Sequence, residues 1–521
     1  MNYNSLTIKA QQAENIISEL YQIKGVATPL PGEIDFNFRV KTKIGESYVL
    51  KVSRPNENEK YLNFQQKLAQ FIQENNSNLI VPKIVKEVNG NFISEIKDQW
   101  GNQRKVRLLT WVSGRIWNDV NPQLDDLRFS LGEQCGLLTN ALKGFVHEEA
   151  HRELDWDIAQ SLWTKEHICL FNKKEKEIIS FFQNRFETSQ TTYSKLRKSV
   201  VHNDANENNI IVTEDLIQPK VKAIIDFGDA VYTQIINDLA VACAYAMMRH
   251  NEPLDAALPI IKGYHSKFPL LESELAHLYN AIAMRLVISL TKSAINKTKE
   301  PDNTYLLVSE KPAWEVLKKW FKISADYAHY SFRETCKFTA HPNENKFINW
   351  TVKNNFSLNE LFPTIQKNKI QPLDLSVSSK WIGHFNDFND LELFEYKIIK
   401  LQSENTSKII AGGYLEPRPL YTSTAFDKIG NNGRESRTIH LGIDFWLPNE
   451  TPVHALIDGE VVVSYNNFGN KQYGGLIILK HEVEDFTFYT LYGHLSMESV
   501  SNKEKGDKIK QRECLGYLGK K

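Results

Sequence analysis

The chain has 521 residues, too many for one ordinary domain, so two or three domains are expected. Lys+Arg and Asp+Glu balance at 63 each, with 41% hydrophobic and 24% charged residues, so no net field points to nucleic acid or a membrane surface as partner. Five scattered cysteines (Cys135, Cys169, Cys243, Cys336, Cys514) without a Cys-x-x-Cys pair argue against disulfides and a thiolate zinc site. The N-terminus lacks a basic-then-apolar leader, and "LAVACAYAMM" (239–248) is half a bilayer span; a cytoplasmic protein is expected.

"QQAENIISELYQI" (11–23) has the spacing of an amphipathic helix. "FNFRVKT" and "ESYVLKVSR" alternate as strands about the turn "KIGE", and "NEKYLNFQQKLAQFIQEN" is helical again. "NFISEI" and "KVRLLTWV" read as further strands, 122–195 as helical, and 235–335 as helical. A polar strand-loop-strand, "VVHNDANENNIIV" (200–212) followed by "KAIIDFGDA" (222–230), separates the two helical regions. Strands first and helices after predict an α+β domain with a sheet-rich lobe and a larger helical lobe over 1–336. Residues 337–410 carry turn chemistry and are expected to be a connecting segment with little core of its own. From 411 the period becomes two, which predicts an all-β unit over 411–521.

The loop at 202–209 has two readings. Asn and Asp are ordinary turn residues, so a generous hairpin turn is one. The other is phosphoryl transfer, which needs a carboxylate to take the proton of the attacking hydroxyl and oxygen ligands for Mg²⁺. His202-x-Asp204-x4-Asn209 followed by Asp226-Phe227-Gly228 has that pattern: Asp204 fits the base, Asn209 and Asp226 the metal ligands. The apolar strands around 210–225 should bring Asn209 and Asp226 to one end of a hairpin. Lys51, on an alternating strand, could reach nucleotide phosphates. The turn "LPGEIDFNF" (30–38), with Gly32 and Asn37, lies where a loop could cover them. His202 reads as a structural residue that helps to hold the loop.

On these segments the first 336 residues resemble the aminoglycoside-phosphotransferase and choline-kinase superfamily, small-molecule kinases of protein-kinase-like bilobal fold, and within it the hydroxylysine-kinase branch. The resemblance implies an ATP or GTP donor, Mg²⁺, and a small amino alcohol or hydroxy amino acid as acceptor, 5-hydroxylysine first. It makes "LPGEIDFNFRV" the nucleotide loop, "RLLTWVSGR" (107–115), with Leu109 and Trp111, the hinge between lobes, "HNDANENNI" the catalytic loop with Asp204 as base, and "IIDFGDAVY" the metal segment. "HRELDWD" (151–157) falls where such enzymes shape the acceptor site, although Trp156 and Asp157 fit a helix start equally well. One departure stands out: the helix after Lys51 should offer a glutamate to pair with it, yet Asn63 and Gln65 occupy the place and Glu59 comes a turn early.

Near the C-terminus, "RTIHLGIDF" carries His440-x3-Asp444, which on one strand would share a face, and "YTLYGHLS" offers His494. Two histidines and a carboxylate suit Zn²⁺, but a half-exposed strand carries such residues for solvation just as readily. "HLGIDF", "TPVHALIDGEVV", "GGLIILKH", "YGHLS" and "KGDKIKQRECLGYLG" resemble, in order, the M23 (lysostaphin-type) metallopeptidase family. That resemblance implies zinc ligands at His440 and Asp444 and a catalytic histidine at His494. The family's third ligand, in a later His-x-His strand, has no counterpart before Lys521, so an M23-like domain without its last strands and an incomplete zinc site are expected. Chains of this arrangement continue into a PLP-dependent aminotransferase-like phospho-lyase, and a fragment of such a protein is the expectation. The rivals are a zinc metallopeptidase with a nucleotide-sensing domain and a non-catalytic scaffold.

Overall fold

The computed structural model describes residues 7–32, 35–76, 78–299, 310–366, 369–381, 387, 390–422, 426–430, 433–469 and 472–519. They form two compact units, Met1–Ala340 and His341–Lys521.

The first unit opens with α1 (Ala10–Tyr21), β1 (Gly25–Leu30), β2 (Phe36–Thr42), β3 (Ser47–Val52), α2 (Glu59–Asn75), β4 (Ile84–Val85), β5 (Ser94–Lys97) and β6 (Gln103–Thr110). Their sheet runs β1-β2-β3-β6-β4, with β5 beside β6. Period-two alternation buries Leu50 and Val52 with Val40, Val106, Leu108 and the α1 residue Ile17. Lys51 therefore leaves from the opposite face, directly across from Asn37 on β2 and Arg107 on β6.

The helical lobe follows: β7 (Arg115–Ile116), α3 (Asp125–Ala141), α4 (Lys173–Tyr193), β8 (Lys198–Val201), β9 (Ile210–Val212), β10 (Val221–Ile224), β11 (Val231–Gln234), α5 (Ile236–Ala246), α6 (Pro253–Lys267), α7 (Glu272–Lys299), α8 (Glu310–Phe321) and α9 (Ala325–Thr335). The apolar run 239–248 lies largely in α5, which is buried on every side. Among the described residues no helix is long and apolar enough to cross a membrane. α3 and α6 touch at Gly132 and Gly263, where a Cβ on either would run into the partner's backbone. β8 pairs with β11, while β9 pairs with β10 and β7. The strands before and after the 202–209 loop thus belong to different sheets, which excludes the hairpin-turn reading.

The second unit contains α10 (Glu344–Lys353), α11 (Leu358–Leu361), β12 (Ile370–Leu373), α12 (Leu391–Glu404), β13 (Ile409–Gly412), β14 (Glu416–Pro417), β15 (Asp427–Gly430), β16 (Gly433–Ser436), β17 (Ile439–His440), β18 (Phe445–Trp446), β19 (Pro452–His454), β20 (Gly459–Asn467), β21 (Gly474–Val483), β22 (Phe486–Leu495), α13 (Met497–Ser501), β23 (Lys508–Ile509) and β24 (Cys514–Tyr517). Its main sheet is β22-β21-β20-β23, with Val461, Ile477, Leu479 and Leu515 in the core. The segment expected as a connector contributes here: Phe362 joins that core, and Leu373, Leu375 and Ile398 pack with Ile410 in a second one. α10 lays Phe347 and Trp350 against Phe488, with ring centroids 4.9 and 5.3 Å apart.

Candidate active site

The 202–209 loop is built on His202. Its ring is fully buried, Nε2–H donates to the Ile225 carbonyl (3.0 Å), and Nδ1 accepts the Asp204 N–H (3.2 Å). Burial pulls its pKa down to about 4, so the imidazole is neutral near pH 7 and keeps this donor-acceptor pattern. Asn203 takes a left-handed φ of 63° and gives its N–H to Asp238 Oδ1 at 2.8 Å. The residue before Asp204 is thereby fixed from behind.

Three side chains hold the Asp204 carboxylate. Asn206 Nδ2 donates to both oxygens (3.0 Å each), Asn209 Nδ2 to Oδ2 (2.7 Å), and Arg285 Nη2 to Oδ1 (2.9 Å). Burial, then the neighbouring Asp229 carboxylate, push its pKa well above the usual range, and Arg285 opposes them. A carboxylate raised in this way is a stronger base than one in water.

Asn209 spends its amide N–H groups on the Asp204 side chain and carbonyl (3.0 Å), which leaves its Oδ1 as an acceptor. The β9–β10 register and the Ile225 N–H to Asn209 carbonyl bond (2.9 Å) set Asn209 beside Asp226, as the hairpin argument expects. Asp226, at φ 65°, caps the turn Phe227–Asp229 through the Gly228 N–H (3.1 Å) and meets Lys51 Nζ at 2.9 Å. Lys51 lowers its pKa to about 2. Arg152 Nη2 holds the turn by the Gly228 (2.8 Å) and Ala230 (3.3 Å) carbonyls, stacked 4.3 Å over the Tyr61 ring.

The departure in α2 has a structural counterpart. Lys51 pairs with Asp226 instead of a helix glutamate, Gln65 accepts from Arg107 Nη1 (2.7 Å), and Glu59 pairs with Lys105. Arg107 also binds Asp35, just before β2, at 3.0 Å. Asn37 lies opposite Lys51, and Gly32 is so near it that a Cβ would strike the Asn37 amide; Glu33 and Ile34 lie outside the described residues.

The hinge residue Trp111 gives its N–H to the Ser47 carbonyl (3.1 Å), so that amide is spent on the sheet, and its ring stacks 4.3 Å from the Arg39 guanidinium. Leu109 is held in β6 between Val49 and Ile84. Asp157 takes the helix-start reading: only 2% exposed, it caps a 3-10 run through Ala159 N–H (3.0 Å) and accepts from Thr233 (2.9 Å) and Asn237 (3.3 Å). These bonds occupy its carboxylate inside the lobe. Trp156 stays half-buried, its carbonyl accepting from Arg285 Nη1 at 2.7 Å.

Arg285, Arg152 and Asp229 escape spacing arguments. The available signal for Arg285 is a lone charge in "AIAMRLVISL", since a buried guanidinium demands a partner.

Asn209 and Asp226 supply the hard oxygen donors that suit a divalent cation shared with phosphates. Among the described residues no three His, Cys, Asp or Glu side chains are placed to hold a metal by themselves. In the second unit, His440 ends β17 and Asp444 lies in the 441–444 loop before β18, so the shared-strand expectation fails, yet Nε2 and Oδ1 approach to 3.6 Å. His440 Nδ1 is bound to the Gly413 carbonyl (3.0 Å) and Arg418 Nη1 grips Asp444 Oδ2 (2.6 Å). His494 does not join them as a third ligand. Among the described residues two donors are brought together, where a catalytic zinc site uses three protein ligands.

Residues 26–273 match the phosphotransferase enzyme family, and residues 438–521 match peptidase family M23. The N-terminal unit is a kinase-like domain similar in sequence to that phosphotransferase family. The chain is 26% identical to hydroxylysine kinase from Mus musculus over 353 residues, covering 63% of this chain and 93% of that protein. It is 26% identical to that of Xenopus laevis over 368 residues (63% and 96%) and 27% identical to a Zymomonas mobilis homoserine kinase over 260 residues (49% and 75%). Among solved structures, an amicoumacin kinase in complex with AMP-PNP and Ca²⁺ aligns at TM-score 0.47 and 16% identity, covering 67% of this chain and 100% of that one. A microcompartment-associated aminopropanol kinase aligns at TM-score 0.46 and 15% identity, covering 63% and 99%.

Proposed function

We propose that the N-terminal domain transfers the γ-phosphoryl group of ATP or GTP to the hydroxyl of an amino alcohol or hydroxy amino acid, with 5-hydroxylysine first among acceptors. The observation that carries this reading is one cluster: Asp204 is hydrogen-bonded to Asn209, Asn209 is set beside Asp226, and Asp226 meets Lys51. Asp204 accepts the proton of the attacking hydroxyl. Asn209 Oδ1 and Asp226 would hold Mg²⁺, which would supply positive charge to neutralise the phosphates. Lys51 would pass from Asp226 to the phosphates, beside Asn37 of β2 and the loop that carries Gly32. Trp156 lines the acceptor side. Relatives at 24% to 26% identity that bear the name hydroxylysine kinase support the choice of acceptor.

In this reading residues 1–336 are the kinase domain and 411–521 the M23-like β domain, with 341–410 packed into the same unit as the latter, in a cytoplasmic protein. A phosphate ester next to an amine-bearing carbon is what a PLP-dependent phospho-lyase consumes, which would suit an aminotransferase-like partner.

The test is Asp204→Asn. Turnover of 5-hydroxylysine should fall about a hundredfold or more, the contribution of a general base, while Mg-nucleotide affinity stays at the wild-type value. Unchanged turnover would remove Asp204 from the role.

A further inference from the structure

We infer that Arg285 is a positioning residue that sets the base and the acceptor wall against each other; the inference rests on the kinase reading above. Arg285 stands in an apolar stretch of α7 and is 1% exposed, so it acts through its neighbours and not on substrate. Nη2 donates to Asp204 Oδ1 (2.9 Å) and Nη1 to the Trp156 carbonyl (2.7 Å). The guanidinium lies 4.7 Å from the Trp156 ring centroid and 5.4 Å from that of Tyr245. A planar fork clamped between two rings cannot follow one partner without moving the other.

The rest of the loop does not duplicate this. Asn206 and Asn209 hold Asp204 from its own loop, 2 and 5 residues along the chain, whereas Arg285 reaches it across 81 residues. The loop asparagines fix the carboxylate relative to the metal ligands. Arg285 fixes it relative to Trp156, the side from which the hydroxyl arrives. Geometry of about an ångström at a reacting group is worth about a hundredfold in rate.

The experiment uses the full chain with ATP, Mg²⁺ and 5-hydroxylysine. Arg285→Met should lower kcat about a hundredfold with Mg-ATP affinity intact, the loss that a misplacement of about an ångström produces. Arg285→Lys, which keeps the charge but loses the fork, should recover about tenfold of it. In an Asp204→Asn background, Arg285→Met should cost less than about twofold more, because groups that act as a unit are not additive. A purely structural arginine would instead give the full loss in both backgrounds. That result, or a kcat of Arg285→Met within about twofold of wild type, overturns the inference. If the Met variant does not fold, Arg285→Lys decides: lower kcat at unchanged Mg-ATP affinity supports the inference, and wild-type kcat overturns it. Wild-type turnover in the same assay separates this from failure of the kinase reading, since only the latter abolishes it.

Discussion

Asp226 meets Lys51 at 2.9 Å and is held to a pKa of about 2, so it is anionic at any working pH and ready for a cation. In the proposed function Asp226 would hold a divalent cation through this carboxylate, and Lys51 would serve the phosphates. Asp226→Ala should therefore remove the Mg²⁺ dependence of nucleotide affinity, as measured by calorimetry with and without the metal. Equal affinity in mutant and wild type would put the metal site elsewhere. The residues of this cluster were legible because local rules place them: fixed spacing for Asp204, Asn209 and Asp226, period two for Lys51. Arg285 was not, because its bond to Asp204 spans 81 residues and no local pattern encodes it. Asp157 was ambiguous because an aspartate suits a helix start and a ligand pocket equally, and only burial decides.

At the scale of elements, the helices announced themselves by period and caps. Asn58 caps α2 and Asn172 caps α4, each accepting backbone N–H groups of the first turn. β1 was missed because it is an edge strand that contains Pro29, which sequence patterns count against a strand. The α3–α6 contact rests on absent side chains, which composition conceals. Gly132→Ala should push the Ile260 carbonyl away and destabilise the first unit by about 1–3 kcal/mol, the usual result of overpacking. A thermal midpoint lowered by several degrees is the expected readout. An unchanged midpoint would mean that the two helices have room to separate.

For the whole molecule, chain length foretold more than one domain, and the two compact units and two family matches agree. The order of strands before helices foretold the bilobal first unit. The packing of the segment before 411 was not legible, since its apolar residues follow neither helical nor strand period for long and are buried by partners far along the chain, as Leu373 is by Ile410. Charge balance pointed to no polyanionic partner and said nothing of which hydroxyl the proposed kinase uses. The most direct measurement is nucleotide consumption by the full chain, with ATP and GTP compared, across 5-hydroxylysine, homoserine, ethanolamine and choline, with the phosphate ester followed by phosphorus NMR. The account predicts Mg²⁺-dependent consumption matched one for one by an ester on the acceptor hydroxyl, greatest for 5-hydroxylysine and abolished in Asp204→Asn. Consumption that ignores every acceptor, or an ester that still forms at the wild-type rate in Asp204→Asn, would contradict it.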